Sequence, residues 1–145
     1  MGEFNLQKQW GFNLHRVALL IRKELIRILK KYDLTPEQWQ ALATLWTEEP
    51  LNQREIRSLT MQDEAATSRM LVRMETNGWI ERKKDPNDAR NTLVYLTKKA
   101  RSHKSSMPAE VLKHFDSLFS DDFPKKEREN MTKSLLNIRK ILNDL

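Results

Sequence analysis

The chain has 145 residues, a formal net charge of +6 and no cysteine, so disulfide bonds, thiolate zinc sites and thiol redox sensors are excluded. Hydrophobic residues make up 39% and charged residues 32%, which favours one folded domain over disorder. No apolar run approaches the roughly 18 residues that a membrane span needs, and the polar stretch 1–9 predicts no signal peptide. The positive balance is either the lysine excess of an ordinary soluble protein or the mark of a polyanionic partner.

The first predicted element is a long amphipathic helix from Trp10 to Tyr32. Its apolar residues recur at steps of three and four, which is the period of one helix face. A helix of this length on a small domain either covers its own core or packs against a partner chain, and this segment alone leaves both open. The apolar positions are Trp10, Leu14, Val17, Ile21, Leu25, Ile28 and Tyr32.

Two capping boxes predict where the next helices begin. Thr35 and Gln38 stand at capping-box spacing around a proline that suits the first helical position. Asn52 and Glu55 repeat the pattern, and the short helix that they open is predicted to end near Leu59.

The next helix, from Asp63 to Asn77, is predicted to read nucleic acid. A turn at 60–62, in which Met61 is expected to point into the core, precedes it, and Gly78 ends it. Small residues on its outward face would let it sit deep in a groove, where Ser68 and Arg69 can bond base edges; a merely solvated face is the alternative. The buried stripe is predicted as Thr67, Met70, Leu71 and Met74, and the opposite face as Glu64, Ala65, Ser68 and Arg69.

Two strands, 79–82 and 92–96, are predicted to pair, with Ile80, Val94 and Leu96 facing the core. The segment between them, 83–90, holds turn formers and charges, which predicts an exposed, mobile tip.

The tip carries cations suited to DNA. Arg90 is the candidate for a narrow minor groove, where the negative potential is highest, and Asp88 is expected to hold its guanidinium through a bidentate bond. Lys83 and Lys84 are expected to contact phosphates.

The C-terminal third is predicted to be helical. Thr97 is expected to cap one helix, and a turn at 120–124 precedes another. Long apolar faces at both ends of the chain suggest a shared dimer bundle. The two stripes are Val111, Leu112, Phe115, Leu118 and Phe119, then Met131, Leu135, Ile138, Ile141, Leu142 and Leu145.

Taken in order, these motifs resemble the MarR family of winged-helix regulators. The residues that carry the resemblance are Leu34-Thr35-x-x-Gln38-Trp39-x-x-Leu42, the helix 63–78, Gly78-Trp79-Ile80-Glu81-Arg82, and Asp88-x-Arg90 followed by Val94-x-Leu96-Thr97. The resemblance implies a mainly α (α+β) fold, a winged helix-turn-helix with terminal helices forming a dimerisation bundle. It divides the chain into an N-terminal dimerisation helix (1–32), a DNA-binding lobe (33–98) and C-terminal dimerisation helices (99–145).

The same resemblance implies a sequence-specific regulator of transcription, a homodimeric repressor of a palindromic operator in double-stranded DNA, located in the cytoplasm on a bacterial or archaeal nucleoid. Arg90, supported by Asp88, would enter the minor groove. The major-groove residues would be Glu64, Ala65, Ala66, Ser68 and Arg69, and the backbone contacts Gln53, Arg73, Lys83 and Lys84. A small aromatic effector would bind near Arg16, Arg27, Trp39 and Trp46, although the two tryptophans also suit an ordinary core.

Three departures and two other classes of function bear on this reading. Ala89 stands where many members have a second arginine, Ala100 where a glycine is common, and Glu64 brings a carboxylate to the groove. A winged-helix protein-interaction module without DNA binding is the alternative. An enzyme is not expected, because the chain lacks a phosphate-binding glycine loop and a thiol nucleophile; no cofactor is expected, and His103 and His114 suit a solvated surface better than a metal site.

Overall fold

The computed structural model describes residues 2–145, and they form two compact units that divide after Pro108. Over this range no helix combines the length and the apolar composition that crossing a membrane requires. The α-helices are α1 (Trp10–Leu29), α2 (Pro36–Leu45), α3 (Gln53–Thr60), α4 (Glu64–Thr76), α5 (Lys98–Ser102), α6 (Ser106–Phe119) and α7 (Lys125–Ile141); the strands are β1 (Leu51–Asn52), β2 (Ile80–Lys84) and β3 (Thr92–Leu96).

Polar side chains cap the N-termini of α2, α3 and α4. The predicted capping boxes are confirmed: Gln38 N donates to Thr35 Oγ1 at 3.2 Å, and Glu55 N donates to Asn52 Oδ1 at 2.8 Å, each with the reciprocal bond present. Asp63 Oδ1 accepts from the Ala66 amide at 2.7 Å and so fixes the start of α4. These local bonds place α3 and α4 as the two helices of a helix-turn-helix.

The wing is a three-stranded antiparallel sheet in the order β1-β3-β2. The predicted pairing of the two long strands is confirmed, with Ile80 opposite Leu96 and Lys84 opposite Thr92. Strand β2 therefore continues through two lysines that sequence analysis assigned to the tip, and the loop spans only 85–91. Strand β1 was not predicted; Leu51 pairs with Val94 and ties the start of α3 to the wing.

The core of the first unit lies between the helices and the inner face of the wing. The predicted stripe of α4 is confirmed, since Thr67, Met70, Leu71 and Met74 are all buried. Ile80, Val94 and Leu96 are buried as predicted. Such a stripe holds α4 by one side and leaves the other to solvent.

Two details of the first unit differ from expectation. Met61 is 85% exposed and adopts φ 53° as the residue that ends α3, so the prediction that it points into the core is wrong. The helix end needed a left-handed residue, and that geometry turns this side chain outward. The helix predicted over 10–32 is α-helical only to Leu29, and Lys30–Tyr32 forms a 3₁₀ turn.

The second unit, 109–145, contains most of α6, a 3₁₀ turn at Ser120–Asp122 and all of α7. Phe119 stacks on Phe115 with centroids 6.2 Å apart and meets Phe123 edge-on at 5.8 Å. Arg128 of α7 forms an ion pair with Asp116 of α6. Helix α7 has no buried residue, and Met131, Leu136, Ile141 and Leu142 are exposed.

Candidate nucleic-acid interface

The outward face of α4 is small and polar at its N-terminal end. Glu64, Ala65 and Arg69 are exposed, while Ala66 and Ser68 are half-buried at its edge. The buried stripe lies on the opposite side of the helix, as a period of 3.6 residues requires. A helix presented in this way can enter a groove without moving any core residue.

A polar cleft opens where the N-termini of α3 and α4 meet the end of the wing loop that leads into β3. Residues Arg54 and Arg57 of α3 line one side, Arg90 of the wing lines another, and Glu64 of α4 stands among them. The remaining lining residues are Asn52, Gln53, Thr67, Asn91 and Thr92. The cleft therefore collects three guanidinium groups between the two elements that sequence analysis assigned to the two grooves of DNA.

Most arginines outside α3 and α4 form ion pairs, whereas those of α3 and α4 do not. Over residues 2–145, the arginines of α3 and α4 form no ion pair; they are Arg54, Arg57, Arg69 and Arg73. Arg16, which lies against the Phe12 ring, also forms none in this range, and the other arginines have carboxylate partners, namely Arg22, Arg27, Arg82, Arg90, Arg101, Arg128 and Arg139. Guanidinium groups that the fold leaves without a partner are available to phosphates.

The wing tip presents Arg90 to solvent. Its side chain is 92% exposed. Asp88 Oδ1 accepts from the backbone N of Arg90 at 3.1 Å and from its Nε at 3.2 Å. One carboxylate oxygen therefore accepts both bonds, and the expected bidentate contact with the guanidinium is not formed. Lys83 and Lys84 are exposed on β2, with Lys83 Nζ 5.2 Å from the centre of the Tyr95 ring.

An ion pair joins α4 to the wing. Glu75 accepts from the backbone N of Arg82 at 3.0 Å and from its guanidinium at 3.1 Å. The hydrogen bond from the Arg82 side chain lowers the pKa of Glu75 below its ordinary value of 4.5, against a smaller opposing effect of burial. This link connects α4 directly to strand β2 of the wing.

The residues expected to bind an effector occupy different settings. Trp46 is buried and its Nε1 donates to the Ala100 carbonyl at 2.9 Å, while half-buried Trp39 meets it edge-on at 6.0 Å. Arg16 lies 5.7 Å from the centre of the Phe12 ring on exposed α1, and Arg27 pairs with Glu24. Among the described residues, no three His, Asp or Glu side chains gather in a metal-binding arrangement.

Sequence reasoning missed Arg54 and Arg57 as candidate contacts. The helical period places them three residues apart on one side of α3, next to Gln53, which was selected. Their relation to Arg90, 36 and 33 positions away, depends on the short pairing of β1 with β3, which brings these residues into one cleft. The spacing of the two arginines was therefore visible in the sequence, whereas the strand pairing that brings them near Arg90 was not.

Comparisons with known proteins bear on the whole lobe. The model of the MarR family matches residues 34–92. An uncharacterised HTH-type transcriptional regulator of Bacillus subtilis, YwoH, is 32% identical over 116 residues that cover 80% of this chain and 83% of that protein. The HTH-type transcriptional regulator MgrA of Staphylococcus aureus is 30% identical over 101 residues and 69% of each chain. The solved structure of reduced AbfR bound to DNA has a TM-score of 0.72 at 26% identity and covers 94% of both chains. These matches favour a regulator over a protein-interaction module, and the chain belongs to the MarR family of winged helix-turn-helix, DNA-binding transcriptional regulators.

Proposed function

We propose that the protein acts as a homodimeric repressor that binds a palindromic operator through α4, the polar cleft and the wing. The observation that carries this proposal is the set of unpaired arginines on α3 and α4 beside an exposed Arg90. A protein that binds phosphates must leave cations unsatisfied until the polyanion arrives, because an internal carboxylate would compete for them.

The docking follows from the order of the elements. Helix α4 enters the major groove, where the base-facing set is Glu64, Ala65, Ala66, Ser68 and Arg69. Arg90 enters the adjacent minor groove with Asp88 holding it. The strand between the two grooves then crosses the cleft, so its phosphates meet Arg54 and Arg57 as well as the backbone set of Gln53, Arg73, Lys83 and Lys84.

Dimerisation is proposed through 1–32 and 99–145, with 33–98 as the lobe that each subunit offers to DNA. On α1, Trp10, Val17 and Leu20 are 69%, 48% and 54% exposed, and α7 buries none of its apolar stripe within one chain. Apolar faces of this extent mark an association surface. Two lobes related by a two-fold axis would read a palindrome.

We also propose an effector and a cellular location. A small aromatic ligand would relieve repression from a site beside Trp39 and Trp46, with Arg16 or Arg27 meeting its anionic group; the edge-on tryptophan pair is the supporting feature. A regulator of this kind works in the cytoplasm and performs no catalytic step.

A salt titration tests the DNA proposal and assigns the cleft. The protein first selects its operator duplex from a random pool. The affinity for that duplex is then measured from about 50 to about 300 mM salt, the range over which binding through phosphate contacts weakens steeply. Each phosphate contact contributes about 0.9 to the slope of log K against log salt. Arg54→Gln and Arg57→Gln should each reduce the magnitude of this slope by about 0.9, the contribution of one phosphate contact.

The control for this titration is Lys104→Gln, which removes an exposed cation from the turn between α5 and α6, outside the cleft and the proposed effector site. It should leave the slope unchanged. A wild-type protein that selects no duplex, or binds with a shallow salt dependence, would contradict the repressor and restore the interaction module. If all three variants show the same slope of log K against log salt, Arg54 and Arg57 do not contact phosphates and the cleft is not part of the DNA interface.

A further inference from the structure

An apolar side chain stands at the centre of the outward face of α4. Val72 is 47% exposed, although the interior side of the same helix is well buried. It follows Ala65 by seven residues, close to two turns, so the two share one side of the helix. A β-branched apolar residue gains nothing from contact with water, and helical propensity does not favour it either.

The surroundings of Val72 are polar and positive. Val72, Ser68, Arg69, Arg73 and Thr76 line a shallow depression. Neither arginine forms an ion pair over residues 2–145. The Thr76 hydroxyl donates to the Val72 carbonyl at 3.0 Å, so this donor is already engaged within the helix. The surface fits a polyanion that offers an apolar group between its charged edges.

We propose that Val72 reads thymine by contact with its C5-methyl group in the major groove. The thymine methyl is the one apolar signal on base edges, and it is recognised without a hydrogen bond. This inference rests on the proposed function and adds a specificity residue to it. Ala65 and Val72 are about 10 Å apart along the axis of α4, so the thymine is a different base from the one beside Ala65.

The test replaces thymine by deoxyuridine, which lacks only the methyl group, at each position of the selected operator half-site. For the wild-type protein, one position should show a three- to fivefold loss of affinity, the size expected for about one buried methyl group. Val72→Ala should bind the thymine duplex three- to fivefold more weakly and show no further loss at that position.

Two comparisons keep the test decisive. Alanine is the better helix former, so Val72→Ala should fold and melt at or above the wild-type temperature. Leu59→Ala, which truncates an exposed apolar residue of α3, should retain the full response to deoxyuridine. A protein that binds its operator but shows equal deoxyuridine losses with valine and alanine at position 72 overturns the inference and leaves the repressor intact. Unchanged affinity of Val72→Ala overturns it too and assigns the exposed valine to a protein contact. Failure to select any duplex contradicts the proposed function itself.

Discussion

Met61 ends α3 in a conformation that costs a residue with a Cβ. Its φ of 53° is left-handed, and its side chain is 85% exposed, so packing returns little of that cost. Glycine adopts this conformation freely. The residue is held there because the turn between α3 and α4 must reverse the chain within three residues, and its backbone N donates to the Arg57 and Ser58 carbonyls.

Met61→Gly should therefore stabilise the protein by about 0.5–1 kcal/mol, the relief of the left-handed strain exceeding the added entropy of the unfolded chain. Urea unfolding at pH 7 measures the change. Ser58→Gly, in the helical part of α3, should destabilise by about 0.5 kcal/mol. Equal losses for the two variants would mean that the left-handed turn carries no strain.

Asp88 illustrates a second effect at the scale of one residue, because its charge and its contacts predict opposite results. Removing a carboxylate near DNA should strengthen binding on electrostatic grounds alone. Asp88 Oδ1 also accepts two hydrogen bonds from Arg90, however. Without them the Arg90 side chain, which is 92% exposed, would sample more conformations, and DNA binding would then cost more conformational entropy.

Asp88→Ala should consequently weaken operator binding several-fold while keeping the salt slope, whereas Arg90→Ala should lower both. Fluorescence anisotropy on the selected duplex at two salt concentrations checks this. Asp85→Ala supplies the matched control, since it removes the same charge from the same loop without touching Arg90. Tighter binding by both aspartate variants would show that Asp88 does not position the arginine.

At the scale of the element, the sequence correctly predicted the features that depend on residues close together in the chain, namely helix caps and buried helix faces. The caps at Thr35, Asn52, Asp63 and Thr97 each involve a partner three positions away, and all four are formed. The buried stripe of α4 was equally readable, because 3.6-residue spacing reports which side of a helix is held. The assignment of DNA contacts to α4 and the wing tip used the same kind of local evidence, and it stays a prediction.

The features that sequence did not predict depend on distant residues. Strand β1 is only two residues long and exists because β3 offers it a partner. Lys83 and Lys84 suggest a loop by their charge, yet pairing with Leu93 and Thr92 draws them into β2. Arg54 and Arg57 acquire a common cleft with Arg90 through the same sheet. No local window of sequence contains those pairings.

The relation between α4 and the wing should depend on pH through Glu75. Because Arg82 lowers the pKa of Glu75 below 4.5, the ion pair stabilises the fold above that pH and is lost as the pH falls through the folded-state pKa. Glu75 is 41% exposed, so its contribution is at most about 1 kcal/mol.

Glu75→Gln should reduce stability at pH 7 by an amount of this order and should flatten the loss of stability below pH 4.5. Glu81→Gln removes a carboxylate whose nearest cation, Lys83, is 3.9 Å away, and it should change neither quantity measurably. Urea unfolding at several pH values between ~3 and 7 compares the two across the acid transition. If both variants show the same dependence of stability on pH, the ion pair between Glu75 and Arg82 does not stabilise the fold.

At the scale of the whole molecule, the proposed dimer contact through the terminal helices would decide whether one lobe or two reaches DNA. The apolar stripe of α7 is centred on Ile138, which is half-exposed within one chain, and Glu129 lies on the opposite side of that helix, nine residues earlier. Ile138→Lys and Glu129→Gln raise the net charge by the same amount. Only the first places a charge in the proposed contact between subunits, where an unpaired buried charge is costly.

Sedimentation equilibrium should find Glu129→Gln dimeric and Ile138→Lys shifted to monomer, with circular dichroism confirming that both remain helical. The monomer should keep its affinity for an isolated half-site and lose most of its preference for the full palindrome, because linking two lobes raises the effective concentration of the second at its half-site. A dimeric Ile138→Lys protein would place the stripe of α7 outside the interface. A monomer with full affinity for the palindrome would show that one winged helix suffices, and the two-fold reading of the operator would have to be abandoned.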